Sequence, residues 1–130
     1  MFGYLMVAIG GALGSVTRYW LSDLVGNKVG GTFPWGTIIV NITGSFVIGA
    51  LAALTVPGGR WYLNPTGRLF FMYGICGGYT TFSSFSLQTL TLAQAGQWLE
   101  AMANVLISVT LCMVAVWLGY LAVAASMKGQ

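Results

Sequence analysis

The chain has 130 residues, 57% of them hydrophobic and only 5% charged, with a mean hydropathy of +0.82. A soluble domain carries about a quarter charged residues, so the composition excludes one and points to an all-α integral membrane protein. Five Lys or Arg, two Asp or Glu and no histidine leave a net charge of +3, too small and scattered to indicate a nucleic-acid partner.

Four apolar runs, Phe2–Leu24, Trp35–Val56, Arg68–Ala95 and Leu99–Met127, each exceed the ~20 residues a helix needs to cross a bilayer. They are expected to form one membrane domain over residues 1–130, with no linker or low-complexity tract. The first run lacks a basic flank and a small-residue cleavage site, so it is expected to be a retained span rather than a signal peptide. Breakers separate the runs: Gly30-Gly31-Thr32-Phe33-Pro34, then Pro57-Gly58-Gly59-Arg60 through Asn64-Pro65, then the short Gln94–Trp98 turn. Trp35, Trp61, Tyr62, Trp98 and Tyr120 lie near span ends, as interfacial aromatics do.

In the first run, Gly10 and Gly14 make a small-xxx-small pattern that reports close helix packing. Arg18 is the one charge well inside a run, and it has two readings. It snorkels to the interface, or it faces a vestibule and draws anions in. In the second run Asn41 lies deep, followed by Thr43, Gly44 and Ser45, and the last two are expected to serve packing.

The third run is interrupted. Gly77-Gly78-Tyr79-Thr80-Thr81-Phe82-Ser83-Ser84-Phe85-Ser86 sets glycines, β-branched threonines and serines where a continuous helix is expected. Irregular backbone at membrane depth is tolerated only inside protein or along a polar cavity. Unwinding near Gly77–Thr81 would free carbonyls for a hard cation, while the restarting helix would turn amides and a positive dipole end toward an anion. Phe82 and Phe85, three apart, share a face, and the positive edges of such rings suit a small anion.

Thr81, Ser84 and Gln88 follow on the third run, and Asn104, Ser108 and Cys112 recur every fourth residue on the last. Interhelical hydrogen bonding, at about 0.6 kcal/mol per pair, explains any one of them. Asn41, two polar stripes and a broken helix together favour a polar permeation path. Cys76 and Cys112 sit in apolar runs, where reduced, packed cysteines are usual, and two distant thiols do not make a metal site. Asp23 and Glu100 lie at span ends, so no carboxylate is expected at the membrane centre for a proton relay. Four spans place Arg60, Arg68 and Lys128 on one side against Lys28 and Arg18 on the other. So weak a positive-inside bias favours insertion in both orientations over a single fixed one.

Three segments carry a family resemblance: Gly77 to Ser86, the Gly10-Gly11-Ala12-Leu13-Gly14-Ser15-Val16-Thr17-Arg18-Tyr19 stretch, and Gly36 to Ser45. Together they resemble the Fluc (CrcB) fluoride channels over essentially the whole chain. The resemblance implies an antiparallel, dual-topology homodimer in the bacterial inner membrane, with a broken third helix and two pores built from both subunits. It implies a structural sodium ion at the dimer centre on the backbone carbonyls of Gly77 and Thr80. It implies a fluoride path along Phe82, Phe85, Asn41, Ser83, Ser84 and Ser108, with Arg18 matching the family's arginine. Cys112 stands where a hydroxyl would be expected in that track.

The implied function is passive fluoride export rather than catalysis. Hydrogen fluoride enters neutral and ionises inside, and an open anion pore lets the inside-negative potential expel it, at ~2.3 kcal/mol per charge per 100 mV. The alternatives are a small multidrug-type dual-topology transporter and a purely structural membrane protein.

Overall fold

The computed structural model describes residues 1–56 and 62–128, the Lys128 side chain apart. The Pro57–Arg60 breaker, Arg60 and Trp61 lie outside the described residues, as does the side chain of Lys128. Every regular element described is helical. Helix α1 is Phe2–Val29 and α2 is Trp35–Ala53; α3 spans residues 65–79, α4 is Phe82–Gln94 and α5 is Trp98–Lys128.

Each boundary has a local cause. Helix α1 runs 28 residues, about 42 Å at 1.5 Å per residue, and continues past Leu24 because no breaker occurs before Gly30 and Gly31. Those two adopt φ of 66° and 84°, a left-handed conformation glycine reaches without strain. Helix α2 ends at Ala53, short of Val56, as its last carbonyls turn onto Leu54 and Thr55. Asn64 caps α3 by accepting from the Gly67 amide, with Pro65 at the first helical position. Within α3, residues Leu69–Cys76 are wound as a π-helix before a final α-helical turn, Gly77–Tyr79.

Helix α1 packs chiefly along α3, and α2 along α5. The first contact depends on glycine. A Cβ on Gly10 would lie 2.6 Å from the Phe70 carbonyl oxygen and 2.9 Å from Gly74 Cα; one on Gly14 would strike the Ile75 carbonyl. The expected packing role of these two glycines is therefore met against backbone, which cannot give way.

Burial is inverted relative to a water-soluble bundle. Leu5, Val16, Trp20, Leu106, Met113 and Trp117 are all exposed, whereas Thr37, Thr81, Asn104 and Ser108 are buried. In water such a surface would be an aggregation liability; against hydrocarbon it is the ordinary outcome. By length and composition, α2 and the Trp98–Met127 part of α5 are each able to cross a membrane. Helix α1 is long enough but its hydropathy is diluted by residues such as Arg18, Asp23 and Asn27, and α3 and α4 are separated at Thr80–Thr81.

Gly10→Ala should lower the thermal stability of the purified protein by about 1–3 kcal/mol, the usual cost of overpacking. Gly11→Ala, whose Cβ would meet nothing within 4 Å, should be neutral. Melting followed by size-exclusion chromatography in detergent separates the two outcomes.

Candidate functional site

The interruption between α3 and α4 is narrower than the sequence suggests. Gly77 and Gly78 are helical; only Thr80 (ψ 156°) and Thr81 (φ −151°, ψ 114°) are extended. Gly78 is a close-approach residue instead, because a Cβ there would strike the Gly11 carbonyl of α1. The expectation that the glycines unwind the helix is corrected: the β-branched threonines occupy the break, where extended backbone suits them.

Asn41 holds the break open. Its Oδ1 accepts from the Thr81 amide at 2.8 Å, and its Nδ2 donates to the Thr81 carbonyl at 3.0 Å. In a continuous helix the Thr81 amide would donate to the Gly77 carbonyl. With that amide diverted, no backbone amide among the described residues replaces it at Gly77, and none donates to the Thr80 carbonyl. The Thr80 carbonyl and the Thr81 N–H belong to one planar trans peptide and point in opposite directions. Because the N–H points at α2, the carbonyl points away from it. Gly77 is itself exposed. Released, outward carbonyls are hard oxygen donors of the kind an alkali cation takes, so the residues present fit such an ion.

The other side of the break has the opposite polarity. Thr81 Oγ1 caps α4 by accepting from the Ser84 amide at 3.2 Å, and it donates its own proton to Ser84 Oγ at 3.0 Å. The capped first turn leaves the amides of Phe82 and Ser83 without intrahelical partners, at the positive end of the helix dipole.

A cavity of about 290 Å³ adjoins this turn. Asn41, Thr80 and Thr81 line one side, Phe82 and Phe85 another, and Ser108 and Cys112 of α5 face them, with Ser45, Ile48 and Val109 completing the wall. The two phenyl rings lie 5.3 Å apart at 47°. Phe85 is buried, but Phe82 is 76% exposed on the single chain. Ser45, expected to serve packing, instead contributes to the lining. Gly44 does pack, giving its space to Thr80 Cγ2 and Tyr79 Cδ1.

Behind the cavity runs a polar relay. Ser108 Oγ donates to Asn104 Oδ1 (3.3 Å), Asn104 Nδ2 donates to Thr89 Oγ1 (2.8 Å), and Thr89 Oγ1 donates to the Phe85 carbonyl (2.8 Å). Asn104 is therefore buried behind the wall rather than part of it, and Thr89 is a member that sequence reasoning missed. The only available signal was a threonine four residues after Phe85, which places it over that carbonyl.

The remaining expected site residues do not gather here. Ser83 is exposed and outside the lining; Ser84 is also outside it, its hydroxyl accepting from Thr81 Oγ1. Gln88 does not continue the Thr81–Ser84 stripe into this cavity. It borders a second one of about 230 Å³ with Ser22, Thr32 and Thr37 near the α1–α2 turn, and its Oε1 is buried without a partner. Arg18 is half-buried and borders neither cavity. Among the described residues, the Asp23 and Glu100 carboxylates line neither of these two cavities; Glu100 accepts from Thr32 and Gln97. Cys76 and Cys112 are both free thiols.

Asn41→Ala removes both partners of the Thr81 peptide. It should cost about 2 kcal/mol or more of stability, the scale for a buried unsatisfied peptide, and accelerate hydrogen exchange at the Thr81 amide. Unchanged exchange at that amide would show that Asn41 does not hold the break.

A family model described as CrcB-like protein, Camphor Resistance (CrcB), matches residues 5–120. A protein of Rhodospirillum rubrum named fluoride-specific ion channel FluC is 63% identical over 117 residues, covering 90% of this chain and 91% of that one. Proteins of the same name from Opitutus terrae and Paramagnetospirillum magneticum are 57% and 55% identical, each covering more than nine-tenths of both chains. With the family model and near-full-length relatives in agreement, the chain belongs to the CrcB family.

Proposed function

We propose that this protein is a passive, fluoride-selective channel that lets fluoride leave the bacterial cytoplasm across the inner membrane. The observation that carries the reading is the first cavity. The Phe82 and Phe85 rings line it beside the first turn of α4, and no carboxylate is among its lining residues. A small, hard anion gains from the amides, from the dipole end and from positive ring edges. A bulkier, softer halide gains less from the same amides and ring edges. The absence of a carboxylate from the lining argues against the proton relay a small multidrug-type transporter needs. The relatives' names as fluoride-specific channels support the same substrate.

Four spans, with the third made of α3 and α4 and broken at Thr80–Thr81, follow from this reading. The working unit is an antiparallel homodimer of dual topology. Phe82, 76% exposed on one chain, would be enclosed by the second copy, so each of the two pores would be completed by both subunits. A structural sodium ion on the Gly77 and Thr80 carbonyls at the dimer centre would tie the two breaks together. Ser108 and Asn41 face the path; Ser83, Ser84 and Gln88 lie off this part of it, and Arg18 lies outside both cavities.

An aromatic edge contact is worth about 1 kcal/mol, so losing both rings should lower fluoride flux by roughly tenfold or more. Phe82→Ile and Phe85→Ile, singly and together, should therefore cut fluoride efflux from liposomes while the dimer persists on size-exclusion chromatography. Parent-like flux in all three variants would remove the rings from the path.

A further inference from the structure

Tyr79 is the last helical residue before the break, and its hydroxyl lies 2.7 Å from Thr43 Oγ1 on α2. Thr43 has a single hydroxyl proton, and that proton is directed at the backbone: Oγ1 lies 2.8 Å from the Ile39 carbonyl and 3.1 Å from that of Val40. Carbonyls cannot donate, so Tyr79 donates to Thr43 and has its one proton satisfied there.

Three neighbouring positions of α2 thus receive three consecutive residues of the broken segment. Asn41 binds the Thr81 peptide, Thr43 binds the Tyr79 hydroxyl, and Gly44 makes room for the Thr80 methyl. The Asn41 clamp lies after Thr80 and the Tyr79 tie before it. The turn carrying the Gly77 carbonyl has one other polar tie to a neighbouring helix, a long 3.4 Å bond from Ser15 of α1 to the Gly78 carbonyl. Without the Tyr79 bond, that turn keeps only the long Ser15 bond and its glycine packing against α1, and the Gly77 carbonyl is held less firmly relative to the Thr80 carbonyl.

We infer that Tyr79 and Thr43 are positioning residues for the cation site formed by the Gly77 and Thr80 carbonyls, setting its affinity without lining the anion path. The inference rests on the sodium reading given under Proposed function. It concerns two hydroxyls that touch neither ion. Neither residue borders the cavity that holds Phe82 and Phe85.

The test is sodium-dependent thermal stabilisation of the purified full-length protein, with sodium exchanged for a large organic cation at constant ionic strength. Ligand binding to the folded state raises the melting temperature with sodium concentration, so the half-saturating concentration reports affinity without any flux measurement. Tyr79→Phe keeps the ring and removes only the hydroxyl; Thr43→Val removes its acceptor. Each should raise the half-saturating sodium concentration roughly three- to tenfold, the equivalent of one modest hydrogen bond. The double variant should add nothing further, as expected of a pair acting through each other, and Thr43→Ser should behave as the parent. Fluoride flux at saturating sodium should stay within about twofold of the parent. A sodium-stabilised parent with unmoved midpoints in Tyr79→Phe and Thr43→Val overturns this inference alone. A uniform loss of stability at every sodium concentration would show a packing role only and also overturns it. A parent indifferent to sodium overturns the sodium reading and this inference together.

Discussion

The organisation of this protein turns on one side-chain amide standing in for a helical backbone partner. A peptide group in apolar surroundings cannot be left unpaired without a cost of several kcal/mol, so a helix within a membrane does not break unless something replaces the lost bonds. Asn41 replaces both, accepting from the Thr81 amide and donating to the Thr81 carbonyl. Everything distinctive near the break follows. The Gly77 carbonyl loses its donor, the Thr80 carbonyl is turned away from α2 by peptide planarity, and α4 begins afresh with Thr81 as its cap. A single pairing therefore creates an oxygen-rich surface on one side of Thr80 and an amide-rich turn on the other. The two suit ions of opposite charge, on either side of one residue, without a formal charge on either.

Packing makes that arrangement affordable. Helix α1 can lie against the backbone of α3 only because Gly10, Gly14, Gly74 and Gly78 carry no side chains at the crossing. That contact anchors the stretch leading into the break, while Asn41, Thr43 and Gly44 anchor the residues within it. The buried relay from Ser108 through Asn104 and Thr89 to the Phe85 carbonyl fixes the other wall. A hydroxyl already donating to Asn104 meets the cavity with its lone pairs, so Ser108 must redirect its proton to bind an anion. On the proposed function, the phenyl rings, the Phe82 amide and the remaining Nδ2 hydrogen of Asn41 would be an anion's readiest partners.

Much of this was legible in the sequence, for physical reasons that differ from residue to residue. Apolar length and the Gly30-Gly31 breaker located the helices, since turn chemistry is local. Phe82 and Phe85 could be paired from their spacing because three residues return to one helix face. The break itself was signalled by its composition, but it is narrower than the expected Gly77–Thr81 and confined to Thr80–Thr81. A glycine that permits unwinding and a glycine that permits close approach look the same in sequence, and Gly77 and Gly78 proved helical. Gln88 was misplaced for a related reason: spacing defines a stripe on a helix, not which cavity the stripe meets as neighbouring helices diverge. The π-helical winding of Leu69–Cys76 leaves no mark in residue type. The Tyr79–Thr43 tie depends on the register between two helices 36 residues apart in sequence, which no single-chain pattern encodes. Its only trace was a tyrosine in an apolar run, whose hydroxyl must find a partner.

A channel of the proposed kind discriminates by size and hardness: the cavity should pass a small, hard anion and refuse a larger one, driven by potential alone. Purified protein in liposomes loaded with potassium fluoride or potassium chloride, with valinomycin to carry the counter-charge, tests this directly with ion-selective electrodes. A fluoride-selective channel should give rapid fluoride efflux, chloride retained on the same timescale, and no dependence on an imposed proton gradient. Comparable efflux of chloride, fluoride movement that requires a proton gradient, or no flux of either ion would contradict it.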